Sequence, residues 1–227
     1  MSVKEIKAQA LKKLKNNYTP LICSVIIMLI LNSICLLTAK LLTSKIVYIV
    51  LILIVNSLLI PGYIKQTLNI TKNKLEIFSK TDLFFKMLKI NIVIFVLYSL
   101  LISFQIIAYN SLLTFIEYHT HITLLASSFM IVLGIILNVL IISIIIYLII
   151  SLSQIYFVAY ENDKNIIKTS LQIMENHKIE YIKLTLSFIP LIILSILTFG
   201  ILFLWLIPYM SVSYANFYTY IKENKYS

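Results

Sequence analysis

Lysine is the only strongly basic residue in this chain of 227, and 17 of its 19 lysines fall in four groups separated by long apolar stretches. A helix adds about 1.5 Å per residue, so about 20 apolar residues cross the ~30 Å hydrocarbon of a bilayer. Backbone amides within hydrocarbon must find partners inside the protein, so such a stretch folds as a helix. Lysine-rich connections stay on the cytoplasmic side. The alternation therefore predicts an all-α polytopic helical membrane protein. About six transmembrane helices and additional interfacial amphipathic helices are expected, with the N and C termini both cytoplasmic.

Composition agrees with that class. The chain is 60% apolar with a mean hydropathy of +0.97, more than a soluble core of this length could hide. Three glycines and four prolines leave no room for a flexible linker, so one integral membrane domain is expected over residues 1–227. The net charge of +10 does not point to nucleic acid. Its lysines are spread over every presumed inner connection, where membrane topology accounts for them. Membrane lipids, anionic ones included, are the expected partners. Abundant Ile, Asn, Lys and Tyr without any Arg fit an AT-rich bacterial genome, hence a multi-pass protein of the bacterial cell membrane. Cys23 and Cys35 lie 12 residues apart in one helix. That separation is about 18 Å, too far for a disulfide.

The spans are expected at about 18–37, 46–63, 90–109, 129–157, 184–197 and 201–220. The second closes on Ile60-Pro61-Gly62, and residues 64–89 carry six lysines on the inner side. The connection Asn110 to His121 holds Glu117, His119 and His121 but no lysine, so it faces outward. The fourth apolar stretch exceeds one span, with Gly134 and Asn138 as the places for a bend. A turn at Thr198-Phe199-Gly200 divides the last two spans, which puts 17 lysines inside and 2 outside. The first apolar run is too long for a signal peptide and lacks a small-residue cleavage site, so it is expected to remain.

Two amphipathic helices complete the plan. Residues 4–16 present Ile6, Ala10 and Leu14 at fourfold spacing with lysines opposite, as on a membrane surface. Residues 163–176 put Ile166, Ile167, Leu171 and Met174 on one face, with Asp163 as N-cap and Asn176 in the left-handed conformation at the end. Tyr156, Tyr160, Tyr181, Tyr218 and Tyr220 fall at the level of the inner headgroups, as an aromatic belt would.

Chemistry is sparse within these spans. All nine acidic residues lie outside them, whereas ion-coupled carriers keep an ionisable group in the bilayer. There is no His-Glu-x-x-His pattern, no intramembrane carboxylate pair and no histidine in a span. Glu117, His119 and His121 have metal-ligand types but read as a solvated loop. Asn32, Asn56, Gln105 and Asn138 read as hydrogen-bonding glue between helices. No catalytic, cofactor-binding or metal-binding residue is assigned, and no enzyme activity is expected.

From Tyr156 onward the residues form a specific pattern. It comprises Tyr156-Phe157-Val158-Ala159-Tyr160, Ser170, Met174, His177-Lys178 and Leu184-x-Leu186-Ser187-Phe188-Ile189. It continues through Leu197-Thr198-x-Gly200-Ile201, Leu204-Trp205, Pro208-Tyr209, Ala215 and Phe217-Tyr218. Lys7, Ala10, Leu14 and Lys15 before Tyr18, and Gly62 after the second span, extend it towards the start. This pattern resembles the bacterial membrane-protein family catalogued as domain of unknown function 975, over essentially the whole chain. Two departures stand out: Asn176 occupies a position where the family often has glycine, and a Pro-Gly in the fourth span is missing. The family is distantly similar to the membrane domain of glycerophosphodiester phosphodiesterases, which lacks the hydrolase active site. The resemblance thus implies work near lipids without catalysis and supplies no ligand residues.

The leading expectation is a non-enzymatic membrane protein, a lipid-associated or envelope-assembly scaffold. The alternative is a permease subunit of an ATPase-driven peptide or lipid transporter, with residues 161–183 meeting the ATPase. Lipid or partner contact is expected at Ser170, Met174, His177 and Lys178, set against Trp205, Pro208 and Tyr209.

Overall fold

The computed structural model describes residues 2–41, 45–72, 82–118, 124–161 and 165–226, and every regular element among them is an α-helix. In chain order these are α1 (Val3–Leu14), α2 (Tyr18–Leu41), α3 (Lys45–Lys72), α4 (Asp82–Tyr118) and α5 (Leu124–Ser151). There follow α6 (Ile155–Tyr160), α7 (Ile166–Met174), α8 (Lys178–Leu186), α9 (Ile189–Leu197) and α10 (Phe203–Tyr226). Among the described residues, five segments are long and apolar enough to cross a membrane: Tyr18–Thr38, Lys45–Lys72, Phe84–Thr114, Ile131–Tyr160 and Lys178–Leu197. The expected sixth span, 201–220, lies in α10, which is not among these five.

The chain forms two compact units, one of Met1–Asn91 with Ser151–Ser227 and one of Ile92–Ile150. The first is built around α10, which packs against α1, α2, α3, α7 and α9. Its Leu206, Val212, Ala215, Phe217, Tyr218 and Ile221 are at most 1% exposed. The second unit is a pair of helical arms from α4 and α5. Gln105 donates to Asn138 Oδ1 at 2.9 Å across that pair, the interhelical bond expected of amides in spans.

Several boundaries differ from the sequence reading, each for a local reason. The α3 helix does not close at Pro61-Gly62 but runs on to Lys72, carrying Pro61 inside it in a buried position. The α5 helix is not interrupted at Gly134 or Asn138. Asn138 Nδ2 donates to the Gly134 carbonyl at 2.9 Å, within one continuous helix. Gly134 instead permits a close approach, since a Cβ there would lie 2.5 Å from Leu112 Cδ1. The break falls later, at residues 152–154, before α6. The expected span 184–197 is interrupted at Ser187-Phe188, ahead of Pro190, whose missing N–H cannot bond the Leu186 carbonyl.

The turn at Thr198-Phe199-Gly200 is present. Phe199 and Gly200 have φ of 52° and 86°. Gly200 N–H donates to the Ser195 carbonyl at 2.9 Å and Phe199 N–H to the Ile196 carbonyl at 3.1 Å, the paired bonds of a Schellman motif. Among the described residues, Asn176 does not have positive φ, so it does not end α7 as expected. Asp163 lies outside the described residues; α7 starts after Asn165, which makes no side-chain capping bond.

The α1 helix begins with a capping box. Ser2 Oγ accepts from Glu5 N–H at 3.3 Å, and Glu5 Oε2 accepts from Ser2 N–H at 2.9 Å. Its stripe of Ile6, Ala10 and Leu14 is 2%, 0% and 0% exposed. The helix packs against α10, α3 and α8, so protein rather than lipid takes up that stripe.

Candidate functional site: a carboxylate joint among lysines

Three helices of the first unit, α3, α6 and α10, meet at Glu161, and two of them bring a lysine to it. This residue follows α6 directly, where the apolar stretch ends. Its carboxylate accepts the Tyr218 hydroxyl at 2.7 Å and pairs with the ammonium groups of Lys72 and Lys222. Helix α3 supplies Lys72 at its last position, and α10 supplies Tyr218 and Lys222 one turn apart. Burial raises the Glu161 pKa, but hydrogen bonds from Lys222, Lys72 and Tyr218 and the charge of Lys72 outweigh it. The carboxyl is held below its ordinary value of 4.5.

A cavity of about 300 Å³ opens beside this joint, lined by Lys72, Thr219, Lys222 and Glu223. Lys13 of α1 closes the same end of the bundle. Its ammonium donates to the Thr71 carbonyl at 2.7 Å and to Asn216 Oδ1 at 3.1 Å. Lys7, two turns earlier on α1, donates to the Ser187 carbonyl at 2.9 Å and lies 4.3 Å from the Phe188 ring centroid. It thereby meets the backbone where α8 gives way to α9. Burial pushes both lysines below their ordinary value, and Glu223 partly offsets this at Lys13. These lysines join helices. Lys4, Lys12, Lys15, Lys168 and Lys183 remain exposed.

The structure does not gather the expected contact residues into one place. Ser170 and Met174 are fully buried, and the Ser170 hydroxyl donates to the Ser151 carbonyl at 3.3 Å. His177 pairs with Glu180 at 3.0 Å and meets the Tyr220 ring edge-on at 6.4 Å, with Lys178 beside it in sequence. Trp205, Pro208 and Tyr209 lie at the other end of α10, about 16–22 Å from Tyr220 by helical rise. Trp205 stacks on Tyr18 at 6.0 Å and packs on Tyr209 at 5.2 Å. Pro208 and Tyr209 are buried.

The tyrosines expected to form a belt are partly interior. Tyr218 is 1% exposed, Tyr156 donates to Asn91 Oδ1 at 2.7 Å, and Tyr181 packs on Tyr214 and Phe217. The Glu117 side chain, His119 and His121 lie outside the described residues. Sequence reading missed the Glu161 joint. Its signal was an acidic residue placed directly after an apolar run in a chain with 19 lysines and 9 carboxylates.

Helices of this length and apolarity, arranged in this way, define a polytopic all-α membrane protein. The chain belongs to the family described as protein of unknown function (DUF975), whose model matches residues 1–225. No curated protein and no solved structure matches it.

Proposed function

We propose that the protein is a non-enzymatic lipid-associated scaffold of the bacterial cytoplasmic membrane, with its lysine-rich side towards the cytoplasm and anionic headgroups. The observation that supports this is the fixed seat of α1. Lys7 and Lys13 pin it to the bundle, while Lys4, Lys12 and Lys15 stay exposed on its outer side. A rigid row of ammonium groups at the inner surface attracts anionic lipid by about 1 kcal/mol per lysine.

The test exchanges Lys4, Lys12 and Lys15 together for Gln. Both proteins are extracted in polymer-bounded nanodiscs, and the retained lipids and proteins are identified by mass spectrometry. Anionic lipid should fall severalfold in the variant; equal retention overturns the reading. The second reading, a permease subunit, draws on α7, where Ile167 and Leu171 are 45% and 37% exposed beside Lys168. A stoichiometric ATPase in the same nanodiscs, released by changing Ile167 and Leu171, would favour it instead.

A further inference from the structure

The two arms α8–α9 and α10 form a hairpin in which ring contacts link residues symmetric about the turn. Tyr181 meets Tyr214 at 5.4 Å, and Phe188 meets Tyr209 at 5.2 Å. At the tip, Leu197, Phe199 and Ile201 are 70%, 98% and 73% exposed. The nearest charged residues along the chain are Lys183 and Lys222, 16 and 23 positions from Phe199. In water, such a tip would expose its largest apolar side chains with no polar rim.

The backbone of the turn gives a second, independent observation. Every N–H from Thr198 to Leu206 donates to an acceptor within the turn or the adjoining helix end. Eight of these acceptors are carbonyls, and the ninth is Thr198 Oγ1, which accepts from Leu202 N–H at 3.4 Å. The side-chain hydroxyls are also engaged, since Thr198 donates to the Ser195 carbonyl and Ser195 to the Leu191 carbonyl. The Leu197 and Phe199 carbonyls accept none of these bonds, and they are the turn's only such carbonyls between residues 195 and 202. Water-exposed turns need no internal partner for every donor, whereas in hydrocarbon each orphan group costs several kcal/mol; this turn pairs every donor and leaves only two carbonyls open.

We infer that the Thr198–Leu202 turn sits inside the membrane, against lipid acyl chains, rather than emerging into the outer aqueous phase. The length of the arm agrees. From Lys183 to Phe199 an unbroken helix would rise about 24 Å, and the interruption at Ser187-Phe188 only shortens this, against ~30 Å of hydrocarbon. With Lys183 near the inner boundary, the turn ends in the outer half of the acyl region. The last hairpin thus enters and leaves from one side, and its tip is a lipid-contact surface. This inference rests on the membrane class alone and stands whichever function proves right.

The test uses the full chain in liposomes. Trp205 is the single tryptophan, so Trp205→Phe with Phe199→Trp moves the only indole to the tip. Its fluorescence should be quenched most by lipids brominated deep in the acyl chain and little by aqueous acrylamide. Strongest quenching by acrylamide or by headgroup-labelled lipid overturns the inference. So does quenching by neither, which would mean protein covers the tip. Should that double variant fail to fold, Phe199→Cys with Cys23 and Cys35 changed to Ser reads the same surface. Its thiol should react with an impermeant maleimide at least about tenfold less in sealed membranes than after unfolding, because the attacking thiolate forms in water. Equal reaction overturns the inference.

Discussion

Replacing Glu161 with Gln removes one negative charge and keeps the side chain's shape, so it isolates what charge contributes where three helix ends meet. Lys72 and Lys222 are 41% and 37% exposed along their side chains, so solvent screens both pairs. Each is then worth about 0.2–1 kcal/mol, as at a surface. Tyr218 is buried, and its hydrogen bond to a carboxylate contributes about 1.5–3 kcal/mol, against about 1 kcal/mol to a neutral acceptor. An amide oxygen keeps the neutral bond, so the exchange should cost about 1–4 kcal/mol in all.

Cys35 is buried and Cys23 exposed, so in a Cys23→Ser background Cys35 reports unfolding through a fluorogenic maleimide. The pH dependence gives a second readout. The folded carboxyl lies below its ordinary value of 4.5, so as pH falls the unfolded chain takes up the proton first. The contribution of Glu161 is therefore complete above about pH 4.5 and is lost as pH drops through the lower folded value. The parent should lose stability there, while Glu161→Gln, already without the charge, should show a shallower loss. A variant as stable as the parent, with the same acid profile, would refute the joint.

Lys7→Met keeps the apolar stem but removes the donor to the Ser187 carbonyl and the cation above Phe188. Cys35 unmasking should show a loss of about 1–2 kcal/mol, and no change would show that the break between α8 and α9 needs no such partner. Phe199→Gly should act in the opposite direction. Phe199 holds φ of 52°, a conformation that costs a residue with a Cβ about 1–2 kcal/mol. The exchange should raise the unfolding midpoint in the same assay, and a lowered midpoint would mean that contacts of the ring outweigh the backbone strain.

Period and charge made the helices legible, because a run of Ile, Leu and Val between lysine groups has one solution in a bilayer. The stripe Ile6, Ala10 and Leu14 and the turn at 198–200 were readable for the same reason: both are local patterns. The errors arose where a local signal met a tertiary partner. Pro61-Gly62 reads as a stop, yet α3 continues with Pro61 buried and Lys72 reaching Glu161. Gly134 reads as a bend, yet it leaves room for Leu112. The expected contact set failed to cluster because Ser170 and Met174 belong to the interior, while Tyr209 and Trp205 are about three and four turns from the Tyr220 ring of α10 that His177 touches. The joint itself draws on positions 72, 161, 218 and 222, a separation no local pattern encodes.

Polarity is distributed in reverse of a soluble fold. The segment Ile131–Tyr160 has the highest mean hydropathy of the five long apolar helices, and its most apolar stretch contains no buried residue. Helix α10 falls outside those five, yet it forms the centre of its unit, burying Ser213, Asn216, Tyr209 and Tyr218. In water this arrangement would expose the most apolar segment and hide the more polar one. In lipid the order becomes favourable, since hydrocarbon solvates Ile and Leu while the interior must supply partners for hydroxyls and amides. The hydrogen bonds support that account: Tyr63 reaches Ser211 at 2.9 Å, Lys13 reaches Asn216, and Tyr218 reaches Glu161. Hydropathy ranks α10 low for the very reason that makes it central, because the polar groups that lower its score bind the other helices to it.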